Sequence, residues 1–254
     1  MNRKRTFCLA LLALLFSLVG TSAQDFRARV YKSERGEELL YRLFVPRNYS
    51  PKKKYPLVVW LHGSGGRGSD NLKQISAGNA IGSQVWAKPE NQSKHPCFVV
   101  APQCPADETW ATSDHIKPTR RLELVVELIE RLKNEYSIDG DRLYVAGQSM
   151  GGFGAWAVMT EHPKMFAAAV PIAGGGDEAR AAVIKDIPIW AFHGEKDEAV
   201  TVDRSRNMIE AVKRAGGSPR YTEFKGADHL IWSKVFSQPE LLPWVFSQKR
   251  HSKN

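Results

Sequence analysis

The chain has 254 residues, 43% of them hydrophobic and 25% charged, a globular composition that excludes disordered, collagen-like and coiled-coil classes. Lys plus Arg number 36 against 27 Asp plus Glu, a formal net charge of +9, so nucleic-acid and acidic-surface partners have to be weighed. Three cysteines are too few for a disulfide scaffold and lack zinc-site spacing.

The first residues fall into three zones: a basic head at Arg3, Lys4 and Arg5, an apolar run of 13 residues from Phe7 to Val19, and small residues at Thr21, Ser22 and Ala23. This is the layout of a secretory signal; a membrane anchor needs roughly 20 apolar residues. The expectation is export to the periplasm or beyond, cleavage after Ala23, one domain over residues 24–254, and no stable membrane insertion. Removing the three basic residues lowers the net charge to +6. The remaining basic residues, such as Lys52, Lys53, Lys54, Arg120, Arg121, Lys213 and Arg214, are scattered and do not interleave with aromatics, so no nucleic-acid partner is expected.

Along the mature chain, residues 27–31 and 39–45 flank a polar turn at Gly36 and read as an antiparallel pair. Apolar runs at 56–61, 98–101, 142–146, 167–172, 187–192 and 220–224 suit strands covered on both faces. Cys97 and Cys104 bracket one of them. Seven residues of strand span roughly 23 Å, whereas bridged Cα atoms lie within about 7 Å, so two thiols rather than a mutual disulfide are expected. Leu122, Val125, Val126, Ile129 and Leu132 recur at helical spacing. Residues 150–161 and 203–215 read as further helices, the latter stopped by Gly216-Gly217. Strand and helix alternate without repeats or linkers, which predicts an α/β fold with a mostly parallel sheet and helices on both faces.

The chemistry starts at Gly147-Gln148-Ser149-Met150-Gly151, a G-x-S-x-G between an apolar strand and a helix. The bare pattern is common, but the strand–turn–helix context makes it a nucleophile elbow, with the Ser149 hydroxyl exposed at a helix N-terminus. A serine needs a base, and the base an orienter. The strand at 187–192 runs into His193-Gly194-Glu195-Lys196-Asp197, and the strand ending at Phe224 runs into Gly226-Ala227-Asp228-His229. Loops after parallel strands share one sheet edge, so Ser149, Asp197 and His229 form a candidate triad in α/β-hydrolase order. Asp228 and Asp203 are rival acids and His193 a rival base, but Asp228 would point elsewhere, Asp203 lies at the start of a helix where capping explains it, and His193 ends a strand. His162, before Pro163, reads as structural.

An oxyanion hole is the third requirement. The strand at 56–61 ends in His62-Gly63-Ser64-Gly65-Gly66, whose amides can join the Met150 amide around a tetrahedral oxyanion. Ser64 is the favoured donor and Gly65 the alternate. Gly63, Gly65 and Gly68 also spell a dinucleotide fingerprint. However, Asn71, Gly78 and Gly82 disfavour a long helix after it, and no acidic residue ends a following strand. No cofactor and no metal is expected.

Taken with the Ala101-Pro102-Gln103-Cys104-Pro105 stretch and Trp110, these segments resemble secreted α/β-hydrolase serine esterases of the dienelactone-hydrolase and prolyl-oligopeptidase-like superfamily. They are most similar to short, lid-free feruloyl and acetyl-xylan esterases. The resemblance spans nearly the whole mature chain. It departs from dienelactone hydrolases proper, which have a cysteine where this chain has Ser149, and no propeller domain is present as in prolyl oligopeptidases. It implies an ester substrate, with acyl or feruloyl groups on polysaccharide as the candidate class. It further implies Trp110 as a substrate-binding residue of the acyl or alcohol pocket, with packing under a loop as its alternative role. It places Trp232 and Trp86 as residues that border the cleft or pack in the core, and Arg67, Asp70 and Asn71 as braces of the oxyanion loop. The 14 residues between the strands ending at Ile172 and starting at Ile187 leave no room for a lid. A serine peptidase of the same fold and a non-catalytic binding protein on this scaffold are the competing readings.

Overall fold

The structure is a computed structural model and describes residues 25–112 and 117–250. The expected signal segment and its cleavage site at Ala23 lie outside the described residues. Eight strands form one sheet: β1 (Arg27–Lys32), β2 (Glu38–Phe44), β3 (Tyr55–Leu61), β4 (Phe98–Pro102), β5 (Ile138–Gln148), β6 (Ala168–Ile172), β7 (Trp190–Gly194) and β8 (Arg220–Phe224). Their order is β1-β2-β4-β3-β5-β6-β7-β8. β1 pairs antiparallel with β2 and β2 antiparallel with β4, whereas every later pairing is parallel.

Strand alternation sorts the apolar side chains into two cores. Leu57, Val59 and Leu61 of β3, with Leu143 and Val145 of β5, face one core. Val58 and Trp60, with Tyr144 and Ala146, face the other. The first core is covered by α3 (Arg120–Glu135), α4 (Met150–Glu161) and α5 (Asp203–Arg214). The second is covered by α6 (Trp232–Phe236) and α7 (Leu241–Ser247) and by residues Val85–Ala87, the turn between the short pieces α1 (Ala80–Gln84) and α2 (Pro89–Lys94).

The helices differ as their sequences dictate. In α3 the buried positions Leu122, Val125, Leu128, Ile129 and Leu132 form one stripe, the pattern of a surface helix. In α4 every residue from Gly151 to Thr160 is buried, as an all-round apolar helix requires. Each fully buried large apolar side chain contributes about 1.5–3 kcal/mol, and Trp60, Trp110 and Trp156 are among those fully enclosed.

Parallel register brings the strand ends together. Leu61 aligns with Gly147, Gln148 with Ile172, Ile172 with Phe192, and Gly194 with Phe224. The loops after β3, β5, β7 and β8 therefore emerge along one edge of the sheet. Between β6 and β7 there is only the short 3-10 segment Glu178–Ile184, so nothing inserted there covers that edge. Among the described residues no helix is long and apolar enough to cross a membrane.

Candidate active site

Ser149 links β5 to α4 at φ 54° and ψ −117°, a left-handed φ that a non-glycine residue adopts only when its surroundings enforce it. Two things enforce it here. The Ser149 amide donates to the carbonyl of Ile172 at 2.8 Å, which ties the turn to β6. The flanking chains also pass too close for side chains: a Cβ at Gly147 would overlap the carbonyl oxygen of Gly151, and one at Gly151 would overlap that of Leu61.

Asp197 and His229 arrive on the loops after β7 and β8, which are laced together. Glu195 N–H donates to Phe224 O at 3.1 Å and Lys196 N–H to Ala227 O at 2.8 Å. Gly226 N–H donates to the Glu195 carboxylate at 2.6 Å. His229 Nδ1 lies 2.6 Å from Asp197 Oδ2, and its Nε2 lies 2.9 Å from Ser149 Oγ. The carboxylate is buried, and its Oδ1 accepts the amides of Ala199 at 3.0 Å and Val200 at 2.8 Å. Three groups far apart in the chain thus form one line of contacts, Asp197 to His229 to Ser149.

The rival residues have other partners. Asp228 Oδ1 accepts the Leu230 amide at 2.9 Å, Asp203 pairs with Arg206 at 3.1 Å, and His162 lies 3.1 Å from Glu123. His193 does not reach Ser149 but touches the acid: its Nε2 is 3.2 Å from Asp197 Oδ2. Sequence reading dismissed it as a base and did not foresee this contact.

The chain leaving β3 crosses the first turn of α4, since a Cβ on Gly151 would also lie 2.9 Å from the His62 carbonyl. Within it, Gly66 N–H is used by Gly63 O, and Arg67 N–H by Ser64 O. The amides of Ser64, Gly65 and Met150 donate to no described residue, as first-turn amides lack intrahelical partners. The loop is braced from both sides. On one, Gln103 Nε2 donates to Gly66 O at 3.1 Å and to Asp70 at 2.9 Å, while its Oε1 accepts the Asn71 amide at 2.6 Å. On the other, Asn79 Oδ1 accepts the Gly63 amide at 3.0 Å and lies 3.2 Å from Gln148 Nε2. Arg67 Nε adds a bond to Ser64 O at 3.2 Å. Arg67, Asp70 and Asn71 thus sit where sequence places them, but Gln103, Asn79 and Gln148 were missed, because polar residues flanking apolar runs carry no pattern of their own.

His62 is fully buried beneath this loop. Its Nε2 accepts the Cys104 amide at 3.0 Å, so Nδ1 carries the hydrogen and donates to Gly63 O at 2.6 Å. Burial holds the imidazole pKa down at about 4, the Gly63 carbonyl opposing. Of the two places open to Trp110, the structure shows the one under a loop and not the pocket wall. Trp110 has no exposed surface, its Nε1 donates to His62 O at 3.1 Å, and its ring stands edge-on to the His62 imidazole. It supports the loop after β3 from below, while its neighbours Thr109 and Ala111 reach the cleft. Trp232 is largely buried in the second core with its ring edge-on to His229 at 5.3 Å. Trp86 is buried there too.

The cleft beside Ser149 measures about 400 Å³ and is walled by Met150, Phe153, Ala111 and Val200, with Thr109, Thr201 and Arg204 as polar members. Among the described residues no group of three or more His, Cys, Asp or Glu is placed to hold a metal.

Sheet order, the elbow after β5 and the three loops converging on it define an α/β-hydrolase of the esterase type. The chain belongs to the family described as "Putative esterase", which matches residues 33–229. Among curated relatives it is 26% identical to the bifunctional acetylxylan esterase/xylanase XynS20E of Neocallimastix patriciarum, over 77% of this chain and 27% of that protein. It is 25% identical to a protein named "Probable feruloyl esterase C" in Aspergillus terreus, over 70% of this chain and 62% of that one. A crystal structure described as a thermostable esterase superposes with a TM-score of 0.85 at 44% identity, covering 90% of this chain and 64% of that chain. The chain thus spans only 27% to 64% of the length of these three proteins.

Proposed function

We propose that the protein is an exported serine carboxylesterase, a single domain over residues 24–254 that hydrolyses carboxylic esters through an acyl-enzyme. The observation that carries this reading is the contact line of 2.6 Å from Asp197 to His229 and 2.9 Å from His229 to Ser149. Ser149 Oγ adds to the ester carbonyl carbon as His229 Nε2 takes its proton, and Asp197 holds the imidazole with Nδ1–H toward itself. The Ser64 and Met150 amides, with Gly65 as alternate, stabilise the oxyanion, each donor being worth about 10²–10³ in kcat. Collapse expels the alcohol, which takes the proton from His229. Water then attacks the acyl-enzyme by the same route, releasing the acid and restoring Ser149.

Acetyl or feruloyl groups on polysaccharide are the proposed substrates, supported by the relatives named for acetylxylan and feruloyl esters. An edge free of inserted segments between β6 and β7 suits a polymer-attached ester. Export rests on the leader layout and on a relative described as a secreted protein in Arthroderma benhamiae.

Fluorophosphonate labelling of the folded protein tests the nucleophile: an adduct on Ser149, absent in Ser149→Ala, is expected. 4-Nitrophenyl acetate should turn over faster than a peptide anilide. No adduct, or faster anilide cleavage, overturns the proposal. His229→Ala should abolish turnover with little loss of stability; surviving activity would mean that another group is the base. Exported protein should begin at Gln24, and retention inside the cell would refute the export reading.

A further inference from the structure

Among the described residues that line the cleft beside Ser149, one is a cation, Arg204. In a serine esterase the oxyanion turns toward the Met150 amide and the leaving oxygen toward His229 Nε2. Ser149 and Met150 line the cleft but His229 does not, so the cleft receives the half of the ester that points away from the base, the acyl half. Its other walls are mostly apolar.

Arg204 is the second residue of α5, and Gly175 leaves it room: a Cβ there would lie 2.9 Å from Arg204 Cβ. The acidic groups nearby are engaged elsewhere. Asp203 and Glu223 both pair with Arg206, at 3.1 and 2.7 Å, Glu195 takes the Gly226 amide, and Asp197 takes His229 and two loop amides. Among the described residues no carboxylate, Glu198 included, forms an ion pair with Arg204. A guanidinium stays charged at any ordinary pH, and its planar fork matches a carboxylate through two parallel hydrogen bonds.

We propose that Arg204 selects an acyl group ending in a carboxylate, so that the preferred substrates are half-esters of dicarboxylic acids. This rests on the esterase reading of Ser149, His229 and Asp197 and goes beyond it, naming an acyl group different from the acetyl and feruloyl groups that the relatives' names suggest.

The test compares mono-4-nitrophenyl adipate with 4-nitrophenyl hexanoate, corrected for spontaneous hydrolysis. Wild type should favour the adipate in kcat/KM by at least about tenfold, the scale of a charge-assisted hydrogen bond. Arg204→Ala should erase that preference, and Arg204→Lys should keep part of it. Equal preference in wild type and Arg204→Ala, or preference for hexanoate in wild type, overturns the proposal. A binding measurement separates it from the esterase reading: Ser149→Ala should bind monoethyl adipate more tightly than ethyl hexanoate, and adding Arg204→Ala should remove the difference. Absence of turnover with both nitrophenyl esters counts against the esterase reading alone, and equal binding of the two ethyl esters against Arg204 alone.

Discussion

His193 Nε2 lies 3.2 Å from Asp197 Oδ2, the carboxylate oxygen that His229 Nδ1 meets at 2.6 Å. Burial pushes the His193 pKa below the ordinary imidazole value, with the Val200 carbonyl and the Asp197 charge opposing. Its Nε2 faces two acceptors, Asp197 and the Val200 carbonyl at 2.9 Å, and therefore carries a hydrogen. Nδ1 lies 2.7 Å from the Ser205 hydroxyl, which donates to the Gly174 carbonyl at 2.9 Å. His193 thus holds the same Asp197 carboxylate oxygen that meets His229, without touching Ser149.

Replacing it should disturb orientation rather than binding. His193→Phe keeps a buried ring but removes the N–H, and should lower kcat roughly ten- to a hundredfold, the cost of a small misplacement at a reacting centre, with KM nearly unchanged. His193→Gln, which can donate to the same oxygen, should recover part of the loss. Steady-state kinetics on one ester decide it: a rise in KM at constant kcat would show that His193 does not work through Asp197.

Much of this site was legible in the sequence. Runs such as 56–61 and 220–224 are apolar over strand length, and the G-x-S-x-G pattern has a local cause, the close passage of Gly147 and Gly151 against neighbouring backbone. The supporting residues were illegible for the opposite reason. Asn79 meets Gly63 sixteen positions away, Gln103 meets Gly66 thirty-seven away, and Trp110 meets His62 forty-eight away. No local pattern signals such pairs. Sequence leaves Trp110 open between pocket wall and loop support because an aromatic next to a site loop reads alike whether it lies above or below that loop.

Two glycines of the site make a contrasting pair. A Cβ at Gly151 would overlap the backbone of Leu61, which is held in the middle of the sheet, whereas a Cβ at Gly65 meets nothing within 4 Å. Gly151→Ala should destabilise by about 3 kcal/mol and lower Tm by roughly 6–12 °C. Gly65→Ala should stay within about 0.5 kcal/mol of wild type. Thermal melts of the two variants check this, and equal Tm values would mean that the strand end and α4 can separate cheaply.

Cys97 and Cys104 are free and buried, and burial pushes both thiols up to about 12. Thiolate is the reactive form, so a disulfide reagent at pH 8 should label neither in the native protein and both after unfolding in guanidinium. Rapid labelling of the native protein would show that the core around β4 opens.

His62 should give the protein an acid sensitivity of its own. Folding holds its pKa at about 4, against 6.5 for the unperturbed side chain. Above pH 6.5 neither state binds the proton and the stability is complete. As pH falls from about 6.5 to about 4 the unfolded chain takes up a proton that the native state refuses, and stability declines; below about 4 this contribution is flat. The loss is on the order of 3 kcal/mol at 1.36 kcal/mol per pKa unit. His193, whose pKa is also lowered by burial, acts in the same direction, so the share of His62 must be isolated by substitution. His62→Gln retains an acceptor for the Cys104 amide but does not titrate. Urea unfolding at pH 7 and pH 4 should show the wild type losing on the order of 3 kcal/mol more than this variant. Parallel losses in the two proteins would mean that His62 takes up its proton without the fold resisting.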